Sequence, residues 1–156
     1  MKKRIITIIL ALTMTLAFLS GCGKKVKDID IEKVKEDIIS SCELEEMRDA
    51  TEDEISILYD FGEIEYENMV LSISQNPVIA DQITIIEAKS EDDVDEIKEV
   101  VQQQLESRKS TFDGYAPDEV AKYDGAEVKV NGKYVFAVVC NDNNEAEKVF
   151  DNAFKE

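Results

Sequence analysis

Histidine and tryptophan are both missing from the 156 residues, proline occurs twice and glycine only six times. Without an imidazole there is no Ser-His-Asp triad, no histidine general base and no histidine-containing zinc site, which removes the common hydrolases. The few glycines form neither a phosphate-cradling loop nor a dinucleotide fingerprint. Three cysteines, at positions 22, 42 and 140, stand too far apart for a CxxC redox pair. Positive charge is also scarce, 18 lysines and arginines against 35 acidic residues for a formal charge of −17. Such a surface repels phosphate backbones, so no nucleic-acid partner is expected.

Basic residues are concentrated where they carry information. Lys2, Lys3 and Arg4 precede an apolar run from Ile5 to Phe18, the pattern of a secretory signal and too short for a permanent membrane span. Leu19-Ser20-Gly21-Cys22 follows, small residues before a thiol, which resembles the bacterial lipobox. Residues 1–21 therefore read as a lipoprotein signal peptide cut before Cys22, residues 22–29 as a lipidated stem and residues 30–156 as a single domain. Removing the signal peptide takes away three cations and no acid, moving the formal charge from −17 to −20. Lys24, Lys25 and Lys27 remain beside the anchor, where anionic headgroups attract them. Gly23 follows the cysteine in place of an aspartate, so no inner-membrane retention signal is present.

Periodicity outlines the domain. Ile31, Val34, Ile38 and Cys42 form a helical stripe that predicts a first helix near 30–42 with Cys42 buried. Thr51 and Glu54 make a capping box for a short second helix through Tyr59, with Gly62 as its left-handed stop. Met69, Leu71 and Ile73 alternate with serines as in a half-buried strand, Asn76-Pro77 ends it, and a second strand near 83–88 pairs with it. Ser90 and Asp93 cap a long helix whose stripe runs Val94, Ile97, Val101, Leu105, Arg108, Phe112 and Tyr115. Ala126, Val128 and Val130 alternate, Asn131-Gly132 reads as a hairpin turn, and Tyr134 to Cys140 is apolar on both faces and placed centrally. Asp142 and Glu145 cap a closing helix. The fold class predicted is α+β, a four-stranded antiparallel sheet in the order strand-strand-helix-strand-strand-helix, preceded by two short helices.

Leu58-Tyr59-Asp60-Phe61-Gly62, Ala80-Asp81-Gln82-Ile83, Arg108 with Phe112, Tyr115-Ala116-Pro117 and Gly132-Lys133-Tyr134-Val135 together resemble the landmarks of the domain of unknown function 4358 family of small bacterial lipoproteins. The resemblance covers most of the chain after Cys22. It implies an acidic residue where this chain has Gln82, a single-membrane Gram-positive cell surface, and no known activity.

No residue pattern singles out a catalytic centre, metal or cofactor. Asn141-Asp142-Asn143-Asn144-Glu145 alternates oxygen ligands, but an EF-hand loop from Asn141 needs glycine and glutamate where Ala146 and Asn152 stand. Asp92, Asp93, Asp95 and Glu96 read as a solvated helix start. Cys42 and Cys140 suit buried apolar positions and are expected as free thiols rather than a bridge. Arg108 is the one charge centred on an apolar stripe, so its head must reach water, an internal carboxylate such as Asp81, or an acidic ligand or partner group held beside Tyr115. The function expected is a non-catalytic binding or adapter module, anchored to the outer face of the cell membrane through lipid on Cys22 and meeting an envelope protein. A small-molecule or cation-binding lipoprotein is the alternative, and an envelope enzyme with a carboxylate pair the third reading.

Overall fold

A computed structural model describes residues 27–155; the signal segment, Cys22 and the first part of the stem lie outside the described residues. The described residues form five strands and five α-helices. In order they are α1 (Ile31–Ser41), β1 (Met47–Asp49), α2 (Glu52–Leu58), β2 (Tyr66–Ser74), β3 (Gln82–Ala88), α3 (Val94–Tyr115), α4 (Val120–Asp124), β4 (Lys129–Asn131), β5 (Tyr134–Val139) and α5 (Asn143–Ala153). All strand pairs are antiparallel, in the order β1-β2-β3-β5-β4. The α+β class and antiparallel sheet stand, with five strands in place of four.

The extra strand, Met47-Arg48-Asp49, pairs with Ser72 to Ser74 and carries no periodicity that sequence patterning could detect. It lies between the two leading helices, because α1 stops abruptly. Glu43 takes the left-handed conformation at φ 51°, and Leu44 N–H bonds back to the Ile39 carbonyl at 3.0 Å, a Schellman stop built without glycine. Cys42 is thereby left at the helix end, half-buried rather than buried. Thr51 and Glu54 form the expected capping box on α2, but Gly62, at φ 55°, sits in the turn beyond Tyr59 and does not stop the helix.

Alternation divides each central strand between two cores. Leu71, Ile73, Ile86, Val135 and Val139 face α3, meeting Val94, Ile97, Val101, Leu105 and Phe112. Val70, Ile83, Ile85, Phe136 and Val138 face the opposite way, against Ile31, Val34 and Ile38 of α1 and Phe150 of α5. Helices therefore cover both faces, a three-layer packing in which Phe136 and Phe150 stack at 4.5 Å. This corrects the half-buried reading of β2, whose last five residues are buried on both sides. The strand expected at the centre, β5, lies between β3 and the short edge strand β4, and β3 takes the middle.

Two local details differ from the sequence reading. The β4–β5 hairpin pairs Asn131 with Tyr134, so its corner is Gly132-Lys133, with Gly132 at φ 58° in the first corner position that a II′-type turn reserves for glycine. After α3, Pro117 drives Ala116 out of the helical region to φ −140°, ψ 64°, and the chain turns through Pro117–Glu119 into α4, an element not predicted from the sequence.

Left-handed positions give a paired test. Gly132→Ala is expected to cost about 1 kcal/mol in urea denaturation, whereas Glu43→Gly, which relieves the same conformation, is expected to gain about 0.5 kcal/mol after its greater unfolded-state entropy. A destabilised Glu43→Gly variant would mean that the α1 stop is not under this strain.

Candidate functional site

Residues 75–81 join β2 to β3 at one end of the sheet. Asn76 shapes the loop, its side chain accepting from Val78 N–H at 3.2 Å and its carbonyl from Ile79 N–H at 3.0 Å, an Asx turn. Three contacts then fasten this loop to the corner between α3 and α4. Tyr115 hydroxyl donates to the Pro77 carbonyl at 2.8 Å, Glu119 accepts from Ala80 N–H at 2.8 Å, and Lys122 Nζ meets both Asp81 and Glu119 at 2.7 Å. The turn at Pro117 places Glu119 and Lys122 three residues apart on one side of a helical segment, which makes the shared contact reachable.

Lys122 and Asp81 side chains are only 11% and 12% exposed, so the pair is a largely desolvated one. Burial works to lower the Lys122 pKa, yet hydrogen bonds from its ammonium to Asp81 and Glu119 outweigh that and hold it above the ordinary lysine range. Burial likewise works to raise Glu119, and the Ala80 N–H and Lys122 overcome it, leaving the carboxyl below its ordinary range. Asn143 extends the clamp, donating to the Lys122 carbonyl and accepting from Cys140 N–H, each at 2.8 Å. On this braced tip Val78 and Tyr115 each remain 51% exposed.

Arg108 lies elsewhere and does not meet Asp81, which corrects the partner expected from the sequence. Helical spacing sets Gln104, Arg108 and Phe112 one turn apart on α3. The Arg108 guanidinium rests over the Phe112 ring, 5.1 Å from its centroid, and Phe112 in turn meets Tyr115 and Tyr123 at 5.0 and 5.8 Å. Among the described residues Arg108 has no carboxylate within ion-pair distance, and its Nε is buried without a partner, as is the Tyr123 hydroxyl. Burial raises the Tyr123 phenol, offset in part by the nearby Arg108 charge. The side chain is half-buried, a snorkelled cation over an aromatic face.

One turn earlier the interior is polar. Gln82 and Gln104 exchange amide hydrogen bonds at 3.0 and 3.1 Å, and Gln82 also donates to Thr84 at 3.0 Å and toward Tyr59 at 3.3 Å. Tyr59 and Thr84 hydroxyls lie 2.8 Å apart, and all four residues are buried. The amide at position 82, where the family resemblance implies an acid, therefore pairs with a second amide as donor and acceptor at once. Burial holds the Tyr59 phenol well above its ordinary range. On the same side of the sheet Tyr59 and Phe61 stack at 5.5 Å and line, with Tyr66, an open recess of about 540 Å³.

The structure thus brings Tyr115 and Asp81 together in the tip clamp and links Arg108 to Tyr115 only through Phe112. Sequence reading missed Glu119, Lys122, Tyr123 and the Gln82–Gln104 pair. Gln104 at a helical step inside the α3 stripe was the one available signal, since a polar residue on a buried face demands a partner. Among the described residues no group of three or more acidic or cysteine side chains is placed to hold a metal ion, and no helix is long and apolar enough to cross a membrane. A family model described as a domain of unknown function, DUF4358, matches residues 40–140. No curated protein and no solved structure matches the chain.

Two variants separate these roles. Gln82→Leu should cost about 2–3 kcal/mol by stranding the Gln104 amide, and adding Gln104→Leu should return at least about 1 kcal/mol of it. Strict additivity in chemical denaturation would show that the two amides are not coupled. Arg108→Ala should cost about 1 kcal/mol, from lost stem packing and the aromatic contact. A loss near 3 kcal/mol would instead reveal a carboxylate left unpaired.

Proposed function

We propose, from the premise that the chain belongs to the DUF4358 family, that this protein is a non-catalytic binding or adapter module held on the outer face of the cell membrane by lipid on Cys22. The basic start, the apolar run and Leu19-Ser20-Gly21-Cys22 support the anchor. The observation that carries the binding role is the tip: Val78 on the loop and Tyr115 at the end of α3 are two half-exposed side chains held side by side by Tyr115–Pro77, Glu119–Ala80 and Lys122–Asp81. Rigid exposed apolar groups lose little entropy on meeting a partner, and an aromatic with a polar handle is a favoured contact residue.

Chain direction supports the same assignment. The stem meets the sheet at its opposite end, where Ile29 N–H donates to the Tyr134 hydroxyl at 3.3 Å and Lys133 pairs with Asp28 at 3.3 Å. From there β3, seven residues long, runs the length of the sheet to the clamped loop, about 20 Å away at the rise of a strand. The tip thus lies at the end of the sheet opposite the stem, whereas Tyr66, on the rim of the open recess, pairs with Ala88 at the stem end. The partner expected is an envelope protein.

Cys22→Ala should abolish incorporation of a fatty-acid probe in cells; label that persists in the variant removes the anchor. For the binding role, a photo-crosslinking amino acid placed at Val78 in intact cells should give a discrete adduct that Tyr115→Ser diminishes at least severalfold. The same adduct from a probe at Ile57, which is 82% exposed on α2 outside the clamp, would show that the tip has no special role.

A further inference from the structure

We propose that Cys42 and Cys140 are a cross-linking pair: met by a disulfide-bearing oxidant, they form one intramolecular disulfide that staples the end of α1 to the end of β5. Cys42 caps the C-terminus of α1 and Cys140 directly follows the last residue of β5. The Cys42 thiol donates to the Asp142 carbonyl at 3.8 Å, two residues beyond Cys140, and each thiol is near enough to shift the other's titration. Both belong to the core between the sheet, α1 and α5, where Phe150 and Ala146 hold the two chain segments together. Both thiols are free in this structure. Two segments distant in sequence thus bring their thiols into one corner of the same packed interface, the proximity that a disulfide requires.

Exposure sets the order of events. Cys42 is half-buried while Cys140 is 1% exposed, so Cys42 is the sulfur an oxidant meets. Its thiolate attacks one sulfur of the oxidant's disulfide, forming a mixed disulfide and expelling the first oxidant thiolate. Cys140, deprotonated in turn, attacks the Cys42 sulfur, forming the internal bond and expelling the second. The two cysteine protons end on the two released thiols, the cysteines lose two electrons, and the oxidant's disulfide gains them. The extracytoplasmic location proposed above enters only as the source of such an oxidant.

Burial pushes the Cys140 thiol up to about 12 and raises Cys42 as well, to which the Asp142 and Glu145 charges add. The folded dithiol is therefore slow to react at neutral pH, and its oxidation should quicken about tenfold for each pH unit as thiolate accumulates. Once made, the bond closes a loop of roughly 100 residues, long enough to raise Tm by about 10 °C through the unfolded state.

The test uses the full chain carrying Cys22→Ala, so that Cys42 and Cys140 are its only thiols. The purified reduced protein is equilibrated with oxidised glutathione, quenched with an alkylating agent under denaturing conditions, and weighed. The expected product is a monomer two hydrogens lighter, unalkylated, with a joined Cys42–Cys140 peptide, a Tm higher by about 10 °C and a rate rising tenfold per unit between pH 7 and pH 9. With Cys140→Ser, the glutathione adduct should persist on Cys42. A persistent adduct on the unsubstituted pair, disulfide-linked dimers, two alkylated cysteines at equilibrium, or a bond that leaves Tm unchanged or lower would each overturn the proposal. Since the measurement is made on purified protein, loss of the membrane assignment leaves it standing, and its own failure leaves the fatty-acid result untouched.

Discussion

All six residues of β5 and all but Glu87 of β3 are buried, and the rest of the structure follows from covering both faces of these two strands. A strand so enclosed cannot alternate apolar with polar residues, because neither side reaches water. Its two side-chain sets must each find a separate apolar layer, which is why α1 and α5 occupy one face and α3 the other. Any polar side chain on β3 must also be satisfied internally. Gln82 and Thr84 meet that demand through Gln104 and Tyr59, so the amide pair follows from the double burial.

The sequence reading recovered those features whose causes lie within a few residues. The Thr51–Glu54 capping box, the α3 stripe and the apolar run of β5 each state their local structure directly, whereas Ser90 caps the short turn Glu91–Asp93 and α3 itself starts at Asp93 without the side-chain cap expected of Ser90 and Asp93. β1 was invisible because three residues without a pattern become a strand only through the hydrogen bonds that β2 offers them. The hairpin corner moved by one residue because Asn-Gly and Gly-Lys are both admissible turn pairs, and register with β5 decides between them. Arg108 was legible as an anomaly, but its surroundings were not. Asp81 lies in the same layer of the chain and was taken instead by Lys122, a residue whose helix exists only because Pro117 redirects the backbone.

The clamp and the interior amides divide the work on the α3 side of the sheet. Gln82, Thr84, Gln104 and Tyr59 fix how α3 and α2 sit over β3, while Tyr115, Glu119 and Lys122 fix the loop at the far end. Phe112 touches Tyr115 of the second set, and with it Arg108 and Tyr123. Arg108 thereby brings positive charge close to the braced tip of an otherwise acidic protein, without a carboxylate to neutralise it among the described residues.

The attachment of Asp28 and Ile29 to the β4–β5 hairpin sets a mechanical limit. Lys133 and Tyr134 grip Asp28 and Ile29, six and seven residues after Cys22, so under the anchor proposed above no more than about 20 Å of fully extended backbone would separate the lipid from this contact. A domain held on so short a leash would search in two dimensions: it would diffuse with its lipid, meet partners that share the membrane plane or stand within one domain's height of it, and not reach across a thick cell wall. Lengthening that span would widen the shell it sweeps while diluting it near the membrane, so leash length, rather than affinity at the tip, would set which neighbours it encounters.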